Sequence, residues 1–396
     1  MKGWLLIFGR RKVGKTYLLK NFIEWDRFFM VKRDGSIINE KEKPVVYDDI
    51  RDLLSDLKSY LMNNETVVLD EFQRLPESFW DEISLIHPEG RLILSGSSLR
   101  IVDRVLSNKS PLLGMVYPVK IPLIRPSDIL NGLSGQMDPV RAITMAPFMQ
   151  DPWTIPMLEE KENIRDIIPI LRYVVPGLLG EVFSEEEREL TRTYESIISL
   201  LGSGLEDYNR MGKVLCDRGI VSNPNSSSVI PYLKNLVKMG LVSEYKRWKV
   251  RGSVYRLTSH VMKTYYYLES RYDLENREVP PEEMEPTLNK LVQFSVEEFL
   301  ADFFGDVLQG RVEVLKKRDM ELDIFITRRN KPYLVGEVKW GKAGINDIKD
   351  FKEKVEDFSC RKVFVTREKI EDDEIEVMGP EDIVKAARTG TLFDKN

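Results

Sequence analysis

The sequence predicts a multidomain α/β protein: a parallel-sheet core at the N-terminus, helical segments in the middle and a second, smaller α/β unit at the C-terminus. Three observations carry that expectation. Short apolar runs alternate with amphipathic stretches in the N-terminal part, and apolar strands separated by helices belong to parallel sheets covered on both faces. At 396 residues the chain is too long for one hydrophobic core. A Pro/Glu stretch at 280–286 reads as a linker before the last unit.

The elements follow in order. Residues 5–8 form a short apolar run, and 16–25 an amphipathic helix. Residues 50–62 have helical spacing at Leu53, Leu54, Leu57 and Leu61, 66–69 read as a buried strand, 78–86 as a helix and 91–94 as another strand. Pro118, Pro122 and Pro126 punctuate the end of this unit, 1–126. Residues 127–187 are Pro-, Met- and acid-rich, with the best helix at 163–174. Within 188–266, helices are expected from 191, at 208–216 and at 226–239, the last with an N-cap among Ser226, Ser227 and Ser228 and a stop at Gly240. Two short strands, 241–245 and 254–257, flank a basic turn, and three helices before such a hairpin are the layout of a winged helix. In 285–396, a helix at 288–304 precedes strands at 312–315, 322–327 and 333–338, a helix at 345–358 and a strand at 362–366.

Composition narrows the function. Hydrophobic residues make up 42% and charged residues 31%, as in ordinary globular proteins. No stretch approaches the ~20 unbroken apolar residues of a membrane span. The five apolar residues from Trp4 to Phe8 run into Gly-Arg-Arg, too short for a signal peptide. A cytoplasmic protein without a membrane role is expected. Cys216 and Cys360 make no disulfide framework, and His87 and His260 leave little material for a His-based metal site or triad. Abundant Lys and Glu with few Gln lean toward a thermophile. A net charge of −5 offers no global attraction to nucleic acid, so such binding needs a local basic patch.

Residues 9–16, Gly-Arg-Arg-Lys-Val-Gly-Lys-Thr, match G-x-x-x-x-G-K-[ST] between an expected strand and an expected helix. Gly9, Arg10, Arg11, Lys12, Val13, Gly14, Lys15 and Thr16, with Tyr17 beyond, form the expected phosphate-binding set. Glycines let backbone N–H groups converge on phosphate oxygens, and the helix N-terminus adds its dipole. Lys15 would bridge the β- and γ-phosphates of ATP, and the Thr16 hydroxyl would bind Mg2+. The apolar strand 66–69 runs into Asp70 and Glu71: Asp70 is expected in the Mg2+ shell and Glu71 beside the attacking water, the alternative being an acidic helix N-cap. ATP is favoured over GTP because no Asn-Lys-x-Asp guanine reader occurs. Ser95-Gly96-Ser97-Ser98 ends the third strand either as a water-orienting sensor, led by Ser95, or as a helix N-cap.

These runs, with Phe72 and Gln73 after Glu71, resemble the archaeal P-loop ATPase family within the AAA+/STAND-like branch. The resemblance implies an ATPase core, a helical lid at 127–187, a winged helix and a C-terminal domain similar to restriction-endonuclease folds. The family often reads Ser-Pro-Leu-Tyr-Gly-Arg after the sensor strand; here Ser110-Pro111-Leu112-Leu113-Gly114-Met115 lacks the arginine. Arg100 and Arg104 are its candidate substitutes, surface or salt-bridge roles being the alternative.

In the last unit Glu321, Leu322 and Asp323 are read in one strand, and Glu337, Val338 and Lys339 in the next. Antiparallel pairing would converge Asp323, Glu337 and Lys339. Two carboxylates there could bind Mg2+ while the lysine activates a water for phosphodiester attack. This is the D-x(n)-E-x-K pattern of the PD-(D/E)xK nucleases, which the family's last domain resembles; Glu297 or Glu298 is similar to the additional acid often found there. The alternative is a DNA-binding or assembly module that cleaves nothing.

Between 205 and 260 ten Lys/Arg face four acids, a local net of +6. Lys246, Arg247, Lys249 and Arg251 with Trp248 would form a wing, and Ser227, Ser228, Lys234, Asn235 and Lys238 would lie on a recognition helix facing DNA. The alternative is a protein-contact role, with Trp248 packing. The acidic stretches 159–162 and 185–189 read as solvated helix faces. The whole predicts an ATP-hydrolysing protein that couples nucleotide state to DNA binding and cleavage, or an ATP-controlled switch reading DNA, a protein partner or another copy of the chain.

Overall fold

In the computed structural model, described over residues 3–40, 45–47, 49–161, 163–186, 188–317, 320–368 and 370–393, the chain divides into two units. The first comprises 1–122, 177–189 and 238–240; the second holds 123–176, 190–237 and 241–396.

The first unit is an α/β sandwich. Its elements run β1 (Trp4–Phe8), α1 (Lys15–Phe22), β2 (Arg27–Val31), β3 (Ile37–Asn39), β4 (Val45–Tyr47), α2 (Ile50–Met62), β5 (Thr66–Asp70), α3 (Ser78–Ser84), β6 (Arg91–Gly96), α4 (Leu99–Val105) and β7 (Val116–Lys120). The sheet order is β4-β3-β2-β5-β6-β1-β7. Strands β2, β5, β6, β1 and β7 pair in parallel, while β2, β3 and β4 pair antiparallel. Alternation splits each central strand between two cores: Leu6, Val67, Leu69, Leu92 and Leu94 face one side, and Ile7, Val68 and Ile93 face the other. Pro118 does not end the unit. It sits in β7 at the sheet edge, where a proline removes no ladder bond to an outer neighbour.

The second unit contains α5 (Pro126–Leu133), α6 (Pro139–Met149), α7 (Ile155–Leu158), the start of α8 (Ile168–Glu185), α9 (Arg192–Gly202), α10 (Tyr208–Asp217), α11 (Ile230–Lys238), the hairpin β8 (Val242–Lys246) and β9 (Ser253–Leu257), and α12 (His260–Tyr272). Ser226, Ser227 and Ser228 form a 3-10 turn ahead of α11 rather than its first turn, and Asn225 is that turn's N-cap. Then come α13 (Pro281–Leu308), β10 (Arg311–Val312), β11 (Leu315–Lys317), β12 (Met320–Leu322), β13 (Ile324–Arg328), β14 (Lys331–Lys339), α14 (Ile345–Lys354), β15 (Arg361–Thr366), β16 (Glu376–Met378) and α15 (Pro380–Thr389). The sheet order is β10-β13-β14-β15-β16; β13 and β14 are antiparallel, β14, β15 and β16 parallel.

The expected linker is a helix N-terminus instead. Pro281 occupies the first position of α13, and Glu282 and Glu283 fill its first turn. Proline there forfeits no intrahelical bond, and acids complement the dipole. Among the described residues one helical run, Ile164–Glu185, is long and apolar enough to cross a membrane. Its Ile167, Leu171, Val175, Leu179, Val182 and Phe183 are buried, while Ile170 and Tyr173 are exposed.

Candidate functional site

The phosphate loop joins β1 to α1. Gly14 takes φ 88° at the N-cap of α1 and Lys12 takes φ 67°; the first is a left-handed turn that suits glycine. Gly9 is fixed by close approach: a Cβ there would stand 2.2 Å from the Ile121 carbonyl oxygen. Arg10, Val13 and Lys15 are buried. The Lys15 ammonium donates to the carbonyls of Gly9 (2.9 Å) and Arg10 (3.1 Å). Burial pulls its proton affinity below the ordinary lysine value, against the charges of Glu71 and Asp70. Tyr17 points outward, 66% exposed, with its ring 6.0 Å from that of Phe22.

Asp70, fully buried at the end of β5, accepts from the Thr16 hydroxyl (2.7 Å) and from the Glu71 N–H (3.0 Å). Its strand neighbour Ser95 is equally buried, and among the described residues the Ser95 Oγ has no hydrogen-bond partner. A hydroxyl, a carboxylate and an unsatisfied hydroxyl side by side are hard oxygen donors, the set Mg2+ prefers.

Glu71 has φ 59° and turns its Oε2 toward Gln73 Nε2 (2.8 Å), Arg74 (3.0 Å) and the Ser97 hydroxyl (3.4 Å). Among the described residues none makes a hydrogen bond or ion pair with Oε1. In the acidic stretch at 185–189, Glu189 is exposed as expected, but Glu185 and Glu186 are not on a solvated face. Glu185 reaches Arg11 (2.9 Å), Ser97 (3.1 Å) and Gln73 (3.2 Å), and Glu181 reaches Arg11 (2.6 Å) and Arg33 (3.1 Å). Burial pushes the Glu185 carboxyl up, but hydrogen bonds from Gln73 and Ser97 and the charges of Arg74 and Arg11 bring it below the usual range. Glu186 accepts from the backbone N–H of Leu99 and Arg100 and so caps α4 together with Ser98. Glu187 and, in the other acidic stretch, Glu162 lie outside the described residues. Arg104 pairs with Glu77 over the ring of Trp80, a structural role.

In the second unit Asp323 does not share a strand with Glu321. It occupies the single-residue break between β12 and β13, and Glu321 pairs instead with Lys316 (2.6 Å). Pairing of Ile324 with Gly336 then brings Asp323 to β14, where its Oδ2 accepts from the Val338 N–H (2.9 Å). Glu337 is held between Lys339 (3.0 Å) and Lys354 of α14 (2.5 Å). Burial raises the Asp323 carboxyl, and burial followed by the charge of Asp323 pushes Glu297 up to about 8. For Lys339, burial lowers and the Glu337 hydrogen bond more than restores the proton affinity, leaving it raised. Of the two candidate acids on α13, Glu297 is the one under the charges of Asp323, Lys339 and Glu337. Glu298 is committed to Lys263 (2.5 Å) and Arg256 (3.6 Å). Among the described residues no three acid, His or Cys side chains converge as metal ligands.

Of the basic patch, Lys234, Lys238, Lys246, Lys249 and Arg251 are exposed. Arg247 is tied to Asp207 (2.6 Å), and Arg256 to Glu206 (2.8 Å). Asn235 donates to the Tyr194 hydroxyl (2.8 Å), and Ser228 to the carbonyls of Asn223 and Asn225, so neither offers a free contact. Trp248 packs on Phe325, ring centroids 5.3 Å apart, and its backbone N–H donates to the Val314 carbonyl (3.0 Å).

Residues 2–119 match the model of an AAA domain. The matched span holds the G-x-x-x-x-G-K-[ST] loop at 9–16 and the strand ending in Asp70. No curated protein sequence matches the chain. Among solved structures, the chain is similar to the Aeropyrum pernix ORC2 protein in its ADPNP-ADP complexes (14% identity, TM-score 0.37, covering 74% of this chain and 88% of that one). It is also similar to the Aeropyrum pernix ORC1 protein in complex with DNA (14%, 0.30, 69% and 88%) and to Cdc6p from Pyrobaculum aerophilum (13%, 0.26, 74% and 88%).

Proposed function

We propose that the chain is an ATPase whose nucleotide state governs DNA binding. The observation that carries the reading is the Thr16–Asp70 hydrogen bond beneath a left-handed glycine loop at a helix N-terminus. The loop amides of 9–16 would receive the phosphates, and the Lys15 ammonium would exchange two carbonyls for phosphate oxygens. Thr16 and Asp70 would hold Mg2+, which neutralises phosphate charge. Glu71, held by one oxygen, would orient the attacking water with the other, and Ser95 would help to order that water. Calorimetry with ATP and Mg2+ tests the binding: heat with wild type and none with Lys15→Ala is expected. No heat with wild type would remove the reading.

Exposed Lys234, Lys238, Lys246, Lys249 and Arg251 support DNA as the partner, through phosphate contacts. Asp323 held against β14 beside the Glu337–Lys339 pair supports a Mg2+-dependent phosphodiester site with two carboxylates and a lysine. A second reading, a switch whose C-terminal unit binds without cutting, is favoured by Lys339 and Lys354 engaging both oxygens of Glu337. Supercoiled plasmid incubated with Mg2+ or Mn2+ separates them. Nicking by wild type but not by Asp323→Ala or Lys339→Ala supports cleavage; an intact plasmid under every nucleotide condition supports the switch.

A further inference from the structure

Glu185 belongs to none of the motifs, yet it is woven into the group that holds Glu71. Its Oε2 accepts from Gln73 and Ser97, and its Oε1 lies 2.9 Å from Arg11 and 3.4 Å from Arg74. Gln73, Ser97 and Arg74 also serve Glu71 Oε2. Two carboxylates, 13% and 15% exposed, therefore share three donors. Arg11, the fourth partner, is part of the phosphate loop.

We propose that Glu185 is a positioning residue of the hydrolytic site, dividing Gln73, Ser97 and Arg74 with Glu71 and tethering the loop cation Arg11. The inference rests on the ATPase reading. Its physics is competition. A guanidinium shared by two carboxylates stabilises each less than one it serves alone. If Glu185 loses its charge, Glu71 is left as the one carboxylate that Arg74 serves, and the balance of contacts that aims the Glu71 carboxylate is lost. Arg11, freed of one acid, becomes available to phosphate oxygens, with which an arginine makes charge-assisted hydrogen bonds. Substrate binding and catalysis should then move in opposite directions, which loss of a merely structural ion pair would not produce.

The test is steady-state turnover of Mg-ATP by the full chain. For Glu185→Gln, kcat should fall about tenfold as the water is less well aimed, and KM should fall. Glu185→Asp, which keeps the charge on a shorter arm, should recover part of both changes. Glu181→Gln, which loosens Arg11 without touching Gln73, Ser97 or Arg74, should lower KM without the fall in kcat. A wild-type kcat and KM in Glu185→Gln would overturn the inference. If that variant does not fold, the same result in Glu185→Asp does so. Wild-type protein that hydrolyses no ATP would overturn the ATPase reading, and this inference with it.

Discussion

The Thr16 hydroxyl donates to the Asp70 carboxylate across 2.7 Å, joining the first turn of one helix to the end of a strand 54 residues later. Asp70 is fully buried and Thr16 half-buried, and the register of the sheet also aligns Asp70 with Ser95. The site is thus assembled by parallel pairing of β1, β5 and β6, whose C-terminal ends bring three sequence-distant segments together.

Thr16→Ala should lower ATP turnover by about 10²-fold or more while leaving the fold intact, because it removes one preorganised oxygen and no core atoms. Phosphate release and thermal melting measured on the same preparation check this. Turnover within a few-fold of wild type would detach Thr16 from the chemistry.

Neutralising Lys246, Lys249 and Arg251 together should flatten the salt dependence of DNA affinity, by about 0.9 in log–log slope for every phosphate no longer neutralised. Arg247→Gln should behave differently. Its guanidinium is bound to Asp207, so the slope should change little while stability falls. A salt titration of binding by each variant distinguishes these outcomes.

Glu297 gives a pH signature. Its carboxyl titrates near 8 in the folded chain because it is buried beside Asp323, and near the ordinary 4.5 when unfolded. Between those values the folded state holds a proton that the unfolded state has lost. Its contribution to stability is complete below about 4.5 and is lost as pH rises through 8. Glu297→Gln should therefore flatten the decline in stability between pH 5 and 8. Denaturant midpoints across that range test it, and parallel curves for the two proteins would refute it.

Lys263→Ala should cost about 3–5 kcal/mol, because Glu298 would keep a buried charge with its nearest cation gone. Lys263→Met combined with Glu298→Gln should cost much less, as it removes both charges together. Equal losses in the single and double variants would show that packing rather than charge dominates there.

Legibility followed the range of the interactions. The loop from Gly9 to Thr16, the strand ending in Asp70 and the helix at 50–62 were readable because their signals are local: turn glycines, apolar runs and helical spacing. Strands β2, β3, β4 and β7 were not anticipated, since Pro118 reads as a stop unless its strand is known to lie at an edge. The Pro280–Pro286 stretch carries helix-initiating residues that, without the buried Met284 and Leu288 behind them, look like a linker. Asp323 and Glu337 are singled out by spacing; Lys354, on another element, carries no such mark.

From its residues alone the chain determined a parallel α/β core with a phosphate-binding loop and paired acids at a strand end, because short-range backbone geometry and hydrophobic alternation are written into neighbouring positions. Tertiary structure decided which charges are spoken for. It gave Arg11 to Glu181 and Glu185, Arg247 to Asp207, and Glu337 to two lysines. The reason is that an ion pair depends on distance through space, and spacing along the chain does not encode it.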